Sequence, residues 1–375
     1  MPEPRRDLVI EALTAPADRF SAWRAEEWSL FMRQARTAGL LGRAATRLKS
    51  LLATGDSHPW PAALDTHIRT AERVMSAQRH EVERELRCIA RALADLGAPV
   101  IVLKGAAYLA AGLPPGQSRV FSDVDILVPR TALSDAESRL MLHGWMGTHD
   151  NAYDQRYYRE WMHELPPMQH VQRGTTVDVH HNILPLTARL KPRADLLFDA
   201  AVALPDRWGL RVLCDTDMVL HSMTHLFMND DMSHALRDLS DLDLLLRHFG
   251  SDPSFWARLV ERAHQLDLVR PLHYGVRHAI RVLGTPVPRP MASSIEDLGP
   301  PTWLRPLMDA TWRRVLRSPF RARAPIGTGA ALLSLYVRGH WLRMPPLLLA
   351  RHLFVKTFRL HEREDKSSVT VPVQG

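Results

Sequence analysis

Apolar residues recur at three- and four-residue steps over residues 7–53, with Phe20, Trp23, Trp28, Leu30, Phe31, Leu40 and Leu41 among them. The same period runs more regularly from Ala62 to Leu96, through Ile68, Val74, Val82, Leu86, Ile89, Leu93 and Leu96. Both stretches predict amphipathic helices. Asp56 to Pro61 reads as the loop between them, and Gly97 as the cap that closes the second. The pattern then changes. Pro99-Val100-Ile101-Val102-Leu103 is a continuous, partly β-branched apolar run, as expected of a buried strand. A small-residue helix over 106–111 and a proline-containing loop over 112–116 follow it. A second strand is predicted at 124–128, and a helix capped by Thr131 runs to about His143. Two strand-like stretches flank Gly174 within 167–181. Beyond Thr187 helical spacing dominates, with helices expected at 215–229, 232–249, 254–266, 271–283, 301–317 and 328–358 and a proline-rich linker over 284–290. The pattern therefore predicts an α+β chain in three parts: a helical N-terminal region (1–80), a small α/β core with a mixed sheet (81–185) and a helical C-terminal domain (186–375).

Composition narrows the class. The 375 residues are 46% hydrophobic and 24% charged, which suits packed globular units rather than a disordered chain. The formal net charge is +7, and only five of the 48 basic residues are lysine. Guanidinium groups favour phosphate-bearing partners, but these arginines are scattered, so nucleic acid is not the expected partner. Two cysteines, Cys88 and Cys214, allow neither a disulfide framework nor a four-cysteine zinc site. Arg5 and Arg6 are followed by no apolar run of the signal-peptide kind, and no stretch has the length of a spanning helix. A reducing cytoplasm is the expected compartment.

The chemistry concentrates in Ser122-Asp123-Val124-Asp125-Ile126-Leu127-Val128. Alternate residues of a strand share a face, so Asp123 and Asp125 point together while Val124, Ile126 and Val128 enter the core. Neighbouring carboxylates repel, and a divalent cation between them removes the repulsion. Asp178, in Val177-Asp178-Val179, is a third acid between β-branched residues. If its strand lies beside the first, three carboxylates converge and can hold two magnesium ions. Upstream, a strand ends in Lys104-Gly105. Glycine at a strand-to-helix turn lets backbone amides approach phosphate, and Lys104 adds a charge. Arg119 can neutralise a phosphate or pair with an acid, and His180 shares the face of Asp178.

The set Val102-Leu103-Lys104-Gly105-Ala106-Ala107, Arg119 to Val128 and Val177-Asp178-Val179-His180 resembles the polymerase-β-like nucleotidyltransferase superfamily. Within it, the sequence is most similar to an uncharacterised bacterial branch of nucleotidyltransferase family proteins, over roughly residues 80–250. The resemblance implies that Asp123, Asp125 and Asp178 are the catalytic metal ligands. It implies that Lys104, Gly105, Ala106, Arg119 and Ser122 surround the triphosphate of an NTP such as ATP. Ala106 stands where the family usually has serine or glycine, and the interval from Gly105 to Asp123 is long. In the C-terminal half His221, His225, Arg237, Asp238 and Asp241 stand in places comparable to the branch. His180, His225, Arg237 and Asp241 are thus candidates for a supporting or substrate-facing role.

The remaining motifs are weaker. His221 and His225 share one helical face, but serine replaces the glutamate of a zinc-protease motif, so a core or supporting role is expected. Arg237-Asp238 and Asp241 are spaced for a helical ion-pair network. Arg313, Arg314, Arg317, Arg321 and Arg323 form a basic cluster without the aromatic residues that stack RNA bases. Residues 330–360 mix apolar runs with arginines and read as a helix covering the core, with peripheral contact to a membrane surface as the alternative. The tail after Glu362 is polar. The expected activity is magnesium-dependent transfer of an NMP to a small-molecule or peptide acceptor, with release of pyrophosphate. The alternatives are kinase-like phosphoryl transfer on the same metals and a non-catalytic nucleotide-binding module, to which Ala106 points.

Overall fold

The structure is a computed structural model describing residues 6–52, 60–148, 157–205, 207–320 and 324–345. The expected loop at 56–61 lies mostly outside these residues. The polar tail, Arg321, Arg323 and the part of the 330–360 stretch beyond residue 345 lie outside them altogether.

Seven strands form one mixed sheet. They are β1 (Ile101–Val102), β2 (Val124–Leu127), β3 (Trp145–Gly147), β4 (Met168–His170), β5 (Thr176–His180), β6 (Val202–Ala203) and β7 (Arg211–Val212). Their order is β3-β4-β5-β2-β1-β7-β6. β2 lies at the centre, antiparallel to β1 and parallel to β5. All four β2 residues are buried, so the strand is covered on both faces and reads as an apolar run broken only by Asp125. β3, β6 and β7 are two or three residues long, too short for a periodic signal. β6 and β7 lie past residue 185 and still extend the sheet.

The N-terminal helices form where predicted: Leu8–Thr14, Asp18–Ser21, Ala25–Thr37, Leu41–Leu52 and the long Ala62–Ala92. Asp7 starts the first by accepting from the amides of Val9 and Ile10. Three local expectations are corrected. The long helix ends at Ala92 with Leu93 as cap, and Gly97 serves a separate left-handed turn before β1. The 112–116 loop contains a helical turn, Pro114–Gln117, because Pro114 at its first position already has helical φ. Thr131 caps nothing: it lies in a 3₁₀ turn, Arg130–Ala132, that leads into the helix Leu133–Leu142. In the C-terminal half, Asp215–Met228, Ala235–Phe249, Pro253–Gln265, Val269–Leu283 and Arg305–Val315 match the predicted helices, whereas the one expected over 328–358 ends at Arg343, where Met344 turns to extended backbone. Ala194–Asp199 and Arg289–Asp297 are additional; the latter starts inside the expected linker, after Gly284 closes the preceding helix in left-handed backbone.

Asp215–Met228 is buried on nearly every side, the mark of a helix inside a bundle rather than on its surface. Asp217 on it is held bidentately by Arg262, at 2.7 and 2.8 Å. One ion-pair network joins the three parts of the chain. Arg43, from Leu41–Leu52, reaches Ser118 Oγ at 3.1 Å, Ser240 Oγ at 2.9 Å and Asp241 Oδ1 at 2.5 Å. Arg119 closes on the other oxygen of Asp241. Asp241 is only 1% exposed, so two guanidinium groups compensate one buried carboxylate. No described helix is long and apolar enough to cross a membrane.

Candidate active site

β2 and β5 run parallel with Asp125 opposite Asp178. Both carboxylates therefore rise from one face of the sheet, side by side. Asp123 sits just before β2, where Ser122 Oγ donates to its Oδ1 at 2.7 Å. Ligand oxygens of Asp123, Asp125 and Asp178 all lie within 4.8 Å of one another. The three acids singled out in the sequence are thus one cluster.

The members differ electrostatically. Asp125 is 3% exposed, and its Oδ1 accepts from Lys104 Nζ at 2.6 Å and bonds His180 Nε2 at 3.0 Å. Burial opposes its charge, but Lys104 and His180 outweigh burial and hold the carboxyl well below its usual range. Among the described residues Asp178 Oδ1 has no such partner and is buried without a hydrogen bond. Burial, with Asp125 adding repulsion, pushes it up to about 7. An orphaned oxygen and a raised pKa on a cluster of hard oxygen donors fit a divalent cation of the magnesium class, which would supply the missing positive charge.

Lys104 stands at φ +48°, left-handed backbone that costs a residue with a side chain about 1–3 kcal/mol. This turn leads the chain from β1 into the helix Lys104–Ala110 and brings the ammonium over Asp125. Gly105 is buried against Arg119: a Cβ there would meet Arg119 Nε at 2.8 Å. Ala106 is buried beside it, and Ser122 is exposed. Arg119 reaches Asp241, so of its two expected uses the structure has the ion pair. Arg237 bonds its neighbour Asp238 at 3.1 Å, and Asp241 pairs instead with Arg43 and Arg119. The helical network expected of these residues is therefore split, because Arg43 approaches from a distant part of the chain.

His180 bonds Asp125 through Nε2 and lies 3.1 Å from Glu164 Oε2 through Nδ1. It also lines a cavity of about 210 Å³ next to the cluster, with Lys104, His163, Glu164, His221, His225 and Arg343 in its wall. His221 and His225 thus face the cavity as a pair, and His225 Nδ1 is 3.7 Å from Asp238 Oδ2. His163, Glu164 and Arg343 were not legible in the sequence. Glu164 pairs with His180 in an isolated antiparallel bridge, with no strand pattern to announce it.

No curated protein matches this sequence. A family profile described as "Uncharacterised nucleotidyltransferase" matches residues 24–284, spanning the N-terminal helices from Ala25–Thr37 onward, the whole sheet, the three carboxylates and the bundle up to Gly284. The chain belongs to this uncharacterised nucleotidyltransferase family.

Proposed function

We propose that this protein is a magnesium-dependent enzyme that transfers an NMP from an NTP to a small-molecule or peptide acceptor and releases pyrophosphate. The observation that carries the reading is the register of Asp125 against Asp178, with Asp123 beside them and one oxygen of Asp178 left without a partner. When bound, one or two magnesium ions would supply charge neutralisation for the attacking and leaving oxygens at phosphorus. Asp123, Asp125 and Asp178 would hold them. Asp178 would also help take the proton of the attacking hydroxyl, one oxygen being free of protein hydrogen bonds among the described residues. Lys104, with the Lys104–Gly105 turn and the neighbouring Ala106 and Ser122, would orient the triphosphate, and Arg119, held by Asp241, would back that turn. The cavity lined by His180, His221 and His225 would receive the acceptor. Two free cysteines fit a cytoplasmic setting.

Transfer from NTPs labelled at the α-phosphate tests the reading, comparing wild type with Asp123→Ala and Asp125→Ala. Labelled acceptor and pyrophosphate should form only with the wild type. Equal labelling by all three proteins would refute it. Release of a nucleoside diphosphate instead would assign kinase-like chemistry.

A second reading, a nucleotide-binding module without catalysis, is favoured by one observation. Lys104 already neutralises Asp125, and Arg119 fills the face of Gly105 where phosphate oxygens would approach. Calorimetry with Mg-ATP and Mg-CTP separates the two: binding without turnover supports the module, and turnover excludes it.

A further inference from the structure

The cavity wall holds a second group of ligating atoms with different chemistry. His163, Glu164 and His180 each place one nitrogen or oxygen within 4.8 Å of the others. The backbone explains how they meet. The His181 amide donates to His163 O at 2.7 Å, and the Leu165 amide donates to Val179 O at 2.8 Å. These two bonds flank Glu164 and His180, which form the non-hydrogen-bonded pair of an antiparallel bridge. In that kind of pair the side chains are closest and lie on one face.

Both ring nitrogens of His180 face carboxylates: Nε2 lies 3.0 Å from Asp125 Oδ1 and Nδ1 lies 3.1 Å from Glu164 Oε2. Glu164 is therefore met at Nδ1 either by a second ring proton or by a cation shared with the imidazole. Independently, His163 Nδ1 is buried and has no hydrogen-bond partner. Burial keeps the His163 imidazole neutral, the form in which it can ligate.

We propose that His163, Glu164 and His180 form a binding site for a transition-metal cation of the zinc class, separate from the three-aspartate cluster. Two imidazoles and one carboxylate are the donors such ions prefer, and magnesium does not favour nitrogen. Tetrahedral ligand atoms at bonds of about 2.0–2.1 Å stand ~3.4 Å apart, so the 3.1 Å separation needs little movement. Three protein ligands leave a fourth position open to the cavity, which also provides the route of entry. Asp125 then orients His180 from behind, as carboxylates commonly do for metal-bound histidines. His180 thereby couples the two centres.

Co²⁺ alone is the probe, titrated into the chelator-treated full-length protein and followed by visible absorption. One equivalent should bind with the intense bands of low-coordinate cobalt, and Zn²⁺ should displace it. His163→Ala and Glu164→Gln should each weaken Co²⁺ binding by at least tenfold. Far-UV circular dichroism checks that they are folded, and Glu164→Gln keeps shape if His163→Ala does not fold. Asp123→Asn should keep the cobalt spectrum while losing magnesium-dependent NTP turnover, so this site and the proposed activity can fail separately. Absence of a stoichiometric cobalt band in folded wild type would overturn the proposal and leave a proton between His180 and Glu164. Wild-type affinity in both His163→Ala and Glu164→Gln, or loss of the band in Asp123→Asn, would overturn it as well.

Discussion

Replacing Asp178 by asparagine removes one charge from the three-carboxylate cluster and keeps the side-chain shape. Burial and repulsion from Asp125 raise the native Asp178 carboxyl from its ordinary 3.8 to about 7. The sign follows from comparing folded and unfolded chains. Below pH 4 the group is protonated in both, and no penalty exists. Between pH 4 and 7 the unfolded chain ionises first, so the native state loses stability as pH rises. Above pH 7 the penalty is complete, about 4 kcal/mol at ~1.4 kcal/mol for each tenfold change in proton affinity. Partial solvent access at Asp178 reduces it, and a buried asparagine amide returns about 1–2 kcal/mol in unmade hydrogen bonds. Without divalent cations, Asp178→Asn should therefore be more stable than wild type by about 1–3 kcal/mol at pH 8 and no more stable at pH 4. For a chain of this size that is a rise in Tm of about 1–4 °C. Magnesium narrows the difference, because at a hundredfold excess over its Kd it stabilises the wild type by about 2.7 kcal/mol and the variant by less. Thermal unfolding at pH 4 and 8, with chelator and then with Mg²⁺, measures all four conditions. A stability difference that is the same at both pH values, or a magnesium response unchanged in the variant, would refute the reasoning.

Asp241→Asn leaves Arg43 and Arg119 buried without their carboxylate and should cost about 3–5 kcal/mol in thermal or urea unfolding. Glu72→Gln, which breaks the exposed pair with Lys49, should change stability by less than about 1 kcal/mol in the same experiment. Gly105→Ala forces a Cβ against Arg119 Nε, so it should displace that guanidinium, lower Tm and reduce NTP binding by calorimetry. Lys104→Met removes the charge that, against burial, keeps Asp125 ionised. The Asp125 carboxyl then protonates at a higher pH, so magnesium-dependent activity should fall off at a higher pH than in wild type, while the stability that wild type loses on acidification below about pH 4 is already missing from the variant at neutral pH.

Legibility in the sequence divided along the range of the interactions. Helical period and short β-branched runs located most of the described helices and the central strands, because each depends on neighbours a few residues away. The expectation that Val124, Ile126 and Val128 enter the core holds, since alternation is a property of any strand. β3, β6 and β7 escaped because they are two or three residues long and, unlike β1, lie in no continuous apolar run rich in β-branched residues. The capping roles given to Gly97 and Thr131 failed for a related reason: a helix end is set by packing as well as by its cap residue.

The candidate site divides the same way. By itself the sequence determined the acidic strand, with Asp123 and Asp125 on one face, the lone Lys104 at the end of β1, and Asp178 between two buried valines. Tertiary structure decided which partners these groups have. Only the parallel register of β2 and β5 put Asp125 beside Asp178. Only packing of the N-terminal helices onto the bundle brought Arg43 to Asp241, 198 residues away, and left Asp238 to Arg237. Only the bridge between Glu164 and His180 assembled a second set of ligating atoms. The physical reason is common to all three. A residue's chemistry and local direction are written in its own segment, whereas the charge that neutralises it arrives from a segment that chain topology alone brings near.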